Sequence, residues 1–152
     1  MDDPGVRNAN IVNNIFNMSG ENTSPIKLKL ETGNISNNVF NGTNSGYAIR
    51  INPIDTRDTS WDNAANGAKP ASFNIDIKIF GNDFTGCTLK DTTRGLVDIN
   101  TGDVIGTVSL DGNVFASSAT CYAIRNRSNT VTVTSKNDTN ASGNTNGNVV
   151  FS

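Results

Sequence analysis

Histidine is absent from the 152 residues, and cysteine, tryptophan and proline occur only two, one and four times. Without histidine the chain holds neither a Ser/His/Asp triad nor a mixed Cys/His metal site. Cys87 and Cys121 are spaced unlike any zinc or redox motif and are expected to be small buried apolar residues. No phosphate-cradling glycine loop occurs, so neither a cofactor nor a metal is expected. No apolar run approaches the roughly 18 residues of a membrane span, which argues against membrane insertion. The 12 basic residues, against 14 acidic ones, form no cluster or stripe along the sequence, so a nucleic-acid partner is not expected. The start, Met1-Asp2-Asp3-Pro4-Gly5, lacks the basic and apolar regions of a secretory signal. Hydrophobic residues, at 35%, are fewer than an ordinary core of this size uses.

Asparagine is what the chain has in excess: 25 Asn and 14 Gly make up about a quarter of it, and both favour turns and left-handed backbone. Some of these Asn fall in a repeat. Asn13-Asn14-Ile15-Phe16, Asn37-Asn38-Val39-Phe40, Gly81-Asn82-Asp83-Phe84 and Gly112-Asn113-Val114-Phe115 share the pattern [Asn/Gly]-Asn-x-Phe. Alternating apolar residues precede the motif, as in Ile75, Ile77 and Ile79 or Val108 and Leu110, which is the period of half-buried strands. A second strand follows each copy: Ile26 to Leu30, Tyr47 to Ile51, Gly95 to Ile99 and Cys121 to Arg125. Two of these share Tyr-Ala-Ile-Arg outright.

The unit is therefore strand, sharp turn at Asn, buried Phe, polar loop, strand and loop, with a constant core and a variable period. Solenoids behave this way, because stacked strands fix one another's length while loops leaving the stack can grow. Phe should fill the interior in one stacked row. The Asn before it should tolerate the left-handed conformation and ladder its amide with the equivalent residues above and below. The fold expected is all-β, a right-handed parallel β-helix solenoid, with residues 1–152 forming one domain or a fragment of a longer one. Asn52 to Ser72, with two prolines, reads as a loop excursion, and residues 135–152 read as a polar loop and a terminal strand. The alternative is an antiparallel β-sandwich, for which the Asn41-Gly42, Asn66-Gly67 and Asp111-Gly112 pairs would be hairpin turns.

The Asn-x-Phe repeat and the Tyr-Ala-Ile-Arg strands, over roughly Asn8 to Thr134, resemble the right-handed parallel β-helix of the pectate-lyase-like superfamily. Within it, the Asn- and Thr-rich composition is most like bacteriophage tailspike and tail-fibre proteins. That resemblance implies a homotrimer, on a virion or otherwise extracellular, which binds or cleaves surface polysaccharide. A fold of this kind hosts lyases, hydrolases and plain shafts, so function rests on a site.

Three candidate sites follow. The lyases of the superfamily carry an Arg-x-Pro-x-x-Arg signature, and the nearest run here, Arg50 to Arg57, departs from it at both ends; the plainer reading of its arginines is pairing with Asp55 and Asp58. Hydrolases need two carboxylates about 5–10 Å apart, and Asp76, Asp98 and Asp111 are the strand carboxylates available, the plainer reading being outward solvated positions. The galacturonan hydrolases also carry a His that this chain lacks. Trp61, beside Arg57 and Asp62, suits a sugar: the indole face stacks on the C–H side of the ring while charged groups bond its hydroxyls. The plainer reading is that Trp61 anchors its own loop or a subunit contact. Asn-x-Ser/Thr sequons, among them those at Asn17, Asn22, Asn41, Asn126, Asn137 and Asn140, are what such a composition produces by chance. The expected function is display of a glycan-binding β-helix surface through Trp61, Arg57, Asp62 and Arg50. A polysaccharide lyase or glycosidase, and a purely structural shaft or adhesin repeat, are the alternatives.

Overall fold

The computed structural model describes residues 8–20, 24–28, 31–44, 46–51, 73–100, 104–117 and 120–152. The strands are β1 (Asn8–Val12), β2 (Ile15–Gly20), β3 (Ile26–Leu28), β4 (Thr32–Ser36), β5 (Val39–Asn44), β6 (Ile49–Ile51), β7 (Phe73–Phe80), β8 (Asp83–Leu89), β9 (Gly95–Ile99), β10 (Val104–Asp111), β11 (Val114–Phe115), β12 (Tyr122–Asn126), β13 (Val131–Lys136), β14 (Thr145–Asn146) and β15 (Val149–Phe151). They form three sheets with orders β1-β4-β7-β10-β13-β15, β2-β5-β8-β11 and β3-β6-β9-β12-β14. The chain visits the three in turn, so one passage, or coil, adds one strand to each. Every pair among the described strands is parallel, as a parallel β-helix requires and as an antiparallel sandwich forbids.

β4 pairs directly with β7, and β6 with β9, so the long 44-residue interval adds a single coil to the stack. The segment Asn52 to Ser72, read as an excursion, lies outside the described residues, as do Arg57, Trp61 and Asp62.

Each coil turns a corner between its first two strands, and the repeat motif is that corner. Its first residue is left-handed in every copy: Asn13, Asn37, Gly81 and Gly112 have φ of 59°, 54°, 62° and 65°. Its second residue makes the ladder. Asn14, Asn38 and Asn82 each donate their backbone N–H and their Nδ2 to the Oδ1 of the next coil's residue, at 2.9–3.1 Å. The two tasks expected of one Asn are thus divided between neighbours. A fifth corner, Asn137-Asp138, sits in the polar C-terminal stretch: Asn137 has φ 54°, and Asp138 Oδ1 accepts from Asn113 N–H at 2.7 Å and Nδ2 at 2.8 Å. Its place in the four-stranded sheet is kept by a parallel bridge from Val114 to Thr139.

Behind the corner the four phenylalanines form the expected row. Phe16, Phe40, Phe84 and Phe115 stack in sequence with centroids 4.9, 4.7 and 4.9 Å apart, the last three fully buried. Strand spacing sets that separation. Equivalent aliphatic columns, such as Ile26, Ile49, Val97 and Ile124, line the five-stranded sheet. Residues that stack on their own equivalents bury fully with few apolar side chains per coil, which is why 35% suffices.

Cys87 and Cys121 are both buried and free, as expected. Burial, and secondarily the Cys121 thiol, push the Cys87 thiol up to about 12, and burial also raises Cys121. The native protein should therefore be inert to a thiol-disulfide reagent at about pH 8 and react at both thiols once denatured. Rapid native labelling would place a thiol at the surface. The raised pKa also means that the unfolded chain loses its Cys87 proton first, so stability should fall as pH rises through the interval from about 9 to about 12.

Candidate functional site

The three strand carboxylates are not brought together. Asp76 and Asp111 are exposed on the six-stranded sheet, where Asp76 is the register partner of Thr107. Asp111 lies four residues further along that strand, about 13 Å away. Asp76 Oδ1 accepts from the Thr107 hydroxyl at 3.3 Å, and Asp111 Oδ1 from Asn137 Nδ2 at 2.9 Å. Asp98 belongs to the five-stranded sheet and is completely buried, so the solvated position expected for it is corrected. The cause is its company: it is surrounded by arginine.

The strands that form the five-stranded sheet carry three equivalent four-residue segments, two of them identical. Tyr47-Ala48-Ile49-Arg50, Gly95-Leu96-Val97-Asp98 and Tyr122-Ala123-Ile124-Arg125 occupy successive coils. The parallel register sets Arg50, Asp98 and Arg125 in one column, with Lys27 beyond Arg50. Two further arginines flank the strands. Arg94 directly precedes β9, and Arg127 directly follows β12, where its N–H bonds to Ile99 O at 2.9 Å. The chain has six arginines; Arg7 and Arg57 lie outside the described residues, and the other four all gather here. With Lys27, Asp91 and Asp98 the group carries five basic and two acidic residues, a net +3 in a chain whose formal charge is −2.

Packing holds these groups in place. Tyr47, only 7% exposed, has the guanidinium carbons of Arg50 and Arg94 at 4.8 and 4.9 Å from its ring centroid, two cation–π contacts on one ring. Arg94 Nε pairs with Asp91 Oδ2 at 2.9 Å. The Thr93 hydroxyl and N–H, and then Arg94, hold the Asp91 carboxyl below the usual carboxylate range. Arg127 Nη2 pairs with Asp98 Oδ1 at 2.5 Å. Gly95 sits between the two tyrosines in register; a Cβ there would come within 2.8 Å of the Arg125 Cβ and of Val97 O, so glycine lets the Arg125 strand approach.

Polar atoms in this group are left unsatisfied. Among the described residues five buried side-chain atoms have no hydrogen-bond partner, and four of them are here: Nε of Arg50, Arg125 and Arg127, and Oδ2 of Asp98. Buried polar atoms ordinarily find partners, and a local concentration of exceptions marks a place that a ligand or ordered water completes. The fifth, Asn34 Oδ1, lies in a shallow polar depression on the six-stranded sheet lined by Asn8, Asn10, Thr32, Asp76 and Lys78. Chemically the arginine group offers hydrogen-bond donors, positive charge and an aromatic ring, which suits an oxygen-rich or anionic ligand.

Of the residues singled out in the sequence, only Arg50 belongs to this group as a glycan-binding candidate, and Asp98 as a carboxylate. Arg94, Arg125, Arg127 and Tyr47 were missed, because counting charge along the chain hides a cluster that stacking creates. The signal was the repeated Tyr-Ala-Ile-Arg, which places an arginine at one step of two coils.

No cluster of three metal-ligating side chains occurs among the described residues, and no described helix is long and apolar enough to cross a membrane. No family model, curated protein or solved structure matches the chain.

Proposed function

We propose that this chain is part of a phage-like tailspike or tail fibre, a right-handed β-helix assembled as a homotrimer on a virion or in another extracellular setting. Its five-stranded sheet holds cell-surface glycan during host recognition. The observation that carries this reading is the convergence of Arg50, Arg94, Arg125 and Arg127 with Tyr47 on that sheet. A sugar presents hydroxyl and ring oxygens that accept from guanidinium N–H groups, and aromatic rings take its C–H face. The stack repeats arginine at Arg50 and Arg125, two coils apart, which suits a repeating polymer. The segment bearing Arg57, Trp61 and Asp62 follows directly on β6 in the sequence, so these residues join the proposal on sequence grounds. Among the described residues the strand carboxylates Asp76, Asp98 and Asp111 are dispersed and form no general acid and base pair, which favours binding over hydrolysis.

The test is calorimetric titration of the full chain against a panel of bacterial surface polysaccharides, with chain mass measured in the same samples. Arg50→Ala should weaken binding by about tenfold, about 1.4 kcal/mol. Absence of binding across the panel, with no release of reducing or unsaturated ends, would replace this reading by a structural shaft.

A further inference from the structure

The chain contains three Asn-Gly pairs, Asn41-Gly42, Asn66-Gly67 and Asn146-Gly147, of which the second lies outside the described residues. Such a pair is where a side-chain amide is most readily lost, because glycine has no Cβ to hinder attack by its own nitrogen on the residue before it. The fold treats the two described pairs differently. Asn41 is half-buried in the middle of β5, which pairs with β2 on one side and β8 on the other. Its Nδ2 donates to Asn17 Oδ1 at 3.3 Å, and its Oδ1 packs against Gly86, where a Cβ would collide with it. Backbone and amide are both held.

Asn146 is held at neither. It is exposed at the end of the two-residue β14, the outermost strand of its sheet, with a strand on one side only. Among the described residues no hydrogen bond ties its side chain or the Gly147 N–H. Gly147 cannot become a bulkier residue, since its φ is 89° and a Cβ there would collide with the Asn126 carbonyl oxygen. The reactive pair is therefore required by the way the chain passes β12. Across the strands, Asn146 is the register partner of Arg125. Arg125 makes no ion pair among the described residues, and its Nε is buried without a hydrogen-bond partner.

We infer that Asn146 is a modification site: its amide is lost in the folded protein, and the carboxylate that replaces it pairs with Arg125. The Gly147 nitrogen bonds to Asn146 Cγ, the Cγ–Nδ2 bond breaks, and ammonia leaves with the proton of the Gly147 N–H. Water then opens the five-membered imide at one of its two carbonyls, giving aspartate or isoaspartate. Solvent is the only co-reactant, and either product bears a carboxylate. The register sets that residue one strand spacing, about 4.8 Å, from Arg125. A guanidinium fork takes a carboxylate through two N–H groups, so Arg125 gains the anion it lacks. Arg127, the next basic residue along the chain, is already bonded to Asp98 and does not compete. On the glycan reading above, the exchange also makes the binding sheet less positive as the protein ages; the modification itself stands independently of that reading.

The experiment incubates the full folded chain in mildly alkaline buffer and follows both pairs by peptide mapping with mass spectrometry. Acid should accumulate at position 146 at least about tenfold faster than at position 41, because attack needs local opening and a sheet edge opens more easily than the interior of a stack. In denaturant the two rates should converge, since the Asn-Gly chemistry is then the same. NMR titration of Asn146→Asp gives the second readout: the introduced carboxyl should titrate below the ordinary aspartate range, and adding Arg125→Gln should return it there. Equal or slower conversion at position 146 in the folded chain overturns the modification site, and that measurement needs no variant to fold. A carboxyl that titrates alike with and without Arg125 overturns the pairing.

Discussion

Replacing Phe84 by Ala should lower the unfolding free energy by about 3–5 kcal/mol, the range for deleting a buried aromatic side chain. The ring is fully buried and lies between Phe40 at 4.7 Å and Phe115 at 4.9 Å, the latter tilted by only 3°. The cavity left behind cannot close, because backbone hydrogen bonds of β5, β8 and β11 fix the distance between the coils. Phe16 at the end of the row is half-buried with one ring neighbour, so Phe16→Ala should cost distinctly less. Ile15, two-thirds exposed on the outer face of the same strand, should cost under about 1 kcal/mol when replaced by Ala. Denaturant titration of the three variants gives the order directly. An equal loss at Phe84 and Ile15 would mean that the row does not couple the coils.

That row was legible in the sequence because a phenylalanine after Asn-x recurs at one step of each coil, and stacking converts equal step into contact. The same logic made the strands of the five-stranded sheet readable. It stopped short at the fifth corner. There Asn137-Asp138-Thr139-Asn140 keeps the left-handed first residue and the acceptor but has Asn140 where the others have Phe, so a search anchored on the aromatic passes over it. Asp98 was misjudged for another reason. Alternation along β9 places it on the outer side, and outer positions are usually wet, but every residue of β9 is buried, and Arg127 reaches back from the next coil to bond Asp98. Side chains arriving from outside the strand are invisible to periodicity. Asp76 and Asp111 are bonded only by exposed neutral side chains, Thr107 and Asn137, and match the solvated reading.

The Asn ladder has a direction, and the direction predicts which substitutions it tolerates. Asn82 sits mid-ladder: its Oδ1 accepts from Asn38 N–H and Nδ2, each at 3.0 Å, while its Nδ2 donates to Asn113 Oδ1 at 2.9 Å and to Ile35 O at 3.0 Å. Asn82→Ala leaves these buried groups unpaired and should cost about 3–5 kcal/mol, since each stranded donor or acceptor is worth about 1–3 kcal/mol and some will find water. Asn82→Asp should be at least as costly at neutral pH, for the new carboxylate sets a second acceptor against Asn113 Oδ1 and Ile35 O in a buried site. Its pKa in the folded state must then be raised above the unfolded value of about 3.9, so the folded form binds the extra proton. Stability of that variant relative to wild type should accordingly recover as pH falls through the raised pKa and be lost as pH climbs. At the end of the ladder the reverse holds. Asp138 accepts from Asn113 through Oδ1 and from the Ser135 hydroxyl through Oδ2, and as a carboxylate it has nothing to donate. Asp138→Asn keeps the first acceptor and loses only the Ser135 bond, a cost of about 1 kcal/mol. Urea titration of the three variants at pH 7, repeated near pH 4, separates the positions. Equal losses for Asn82→Asp and Asp138→Asn, or no recovery of the former in acid, would show that the amides fill space without forming a directed chain of hydrogen bonds.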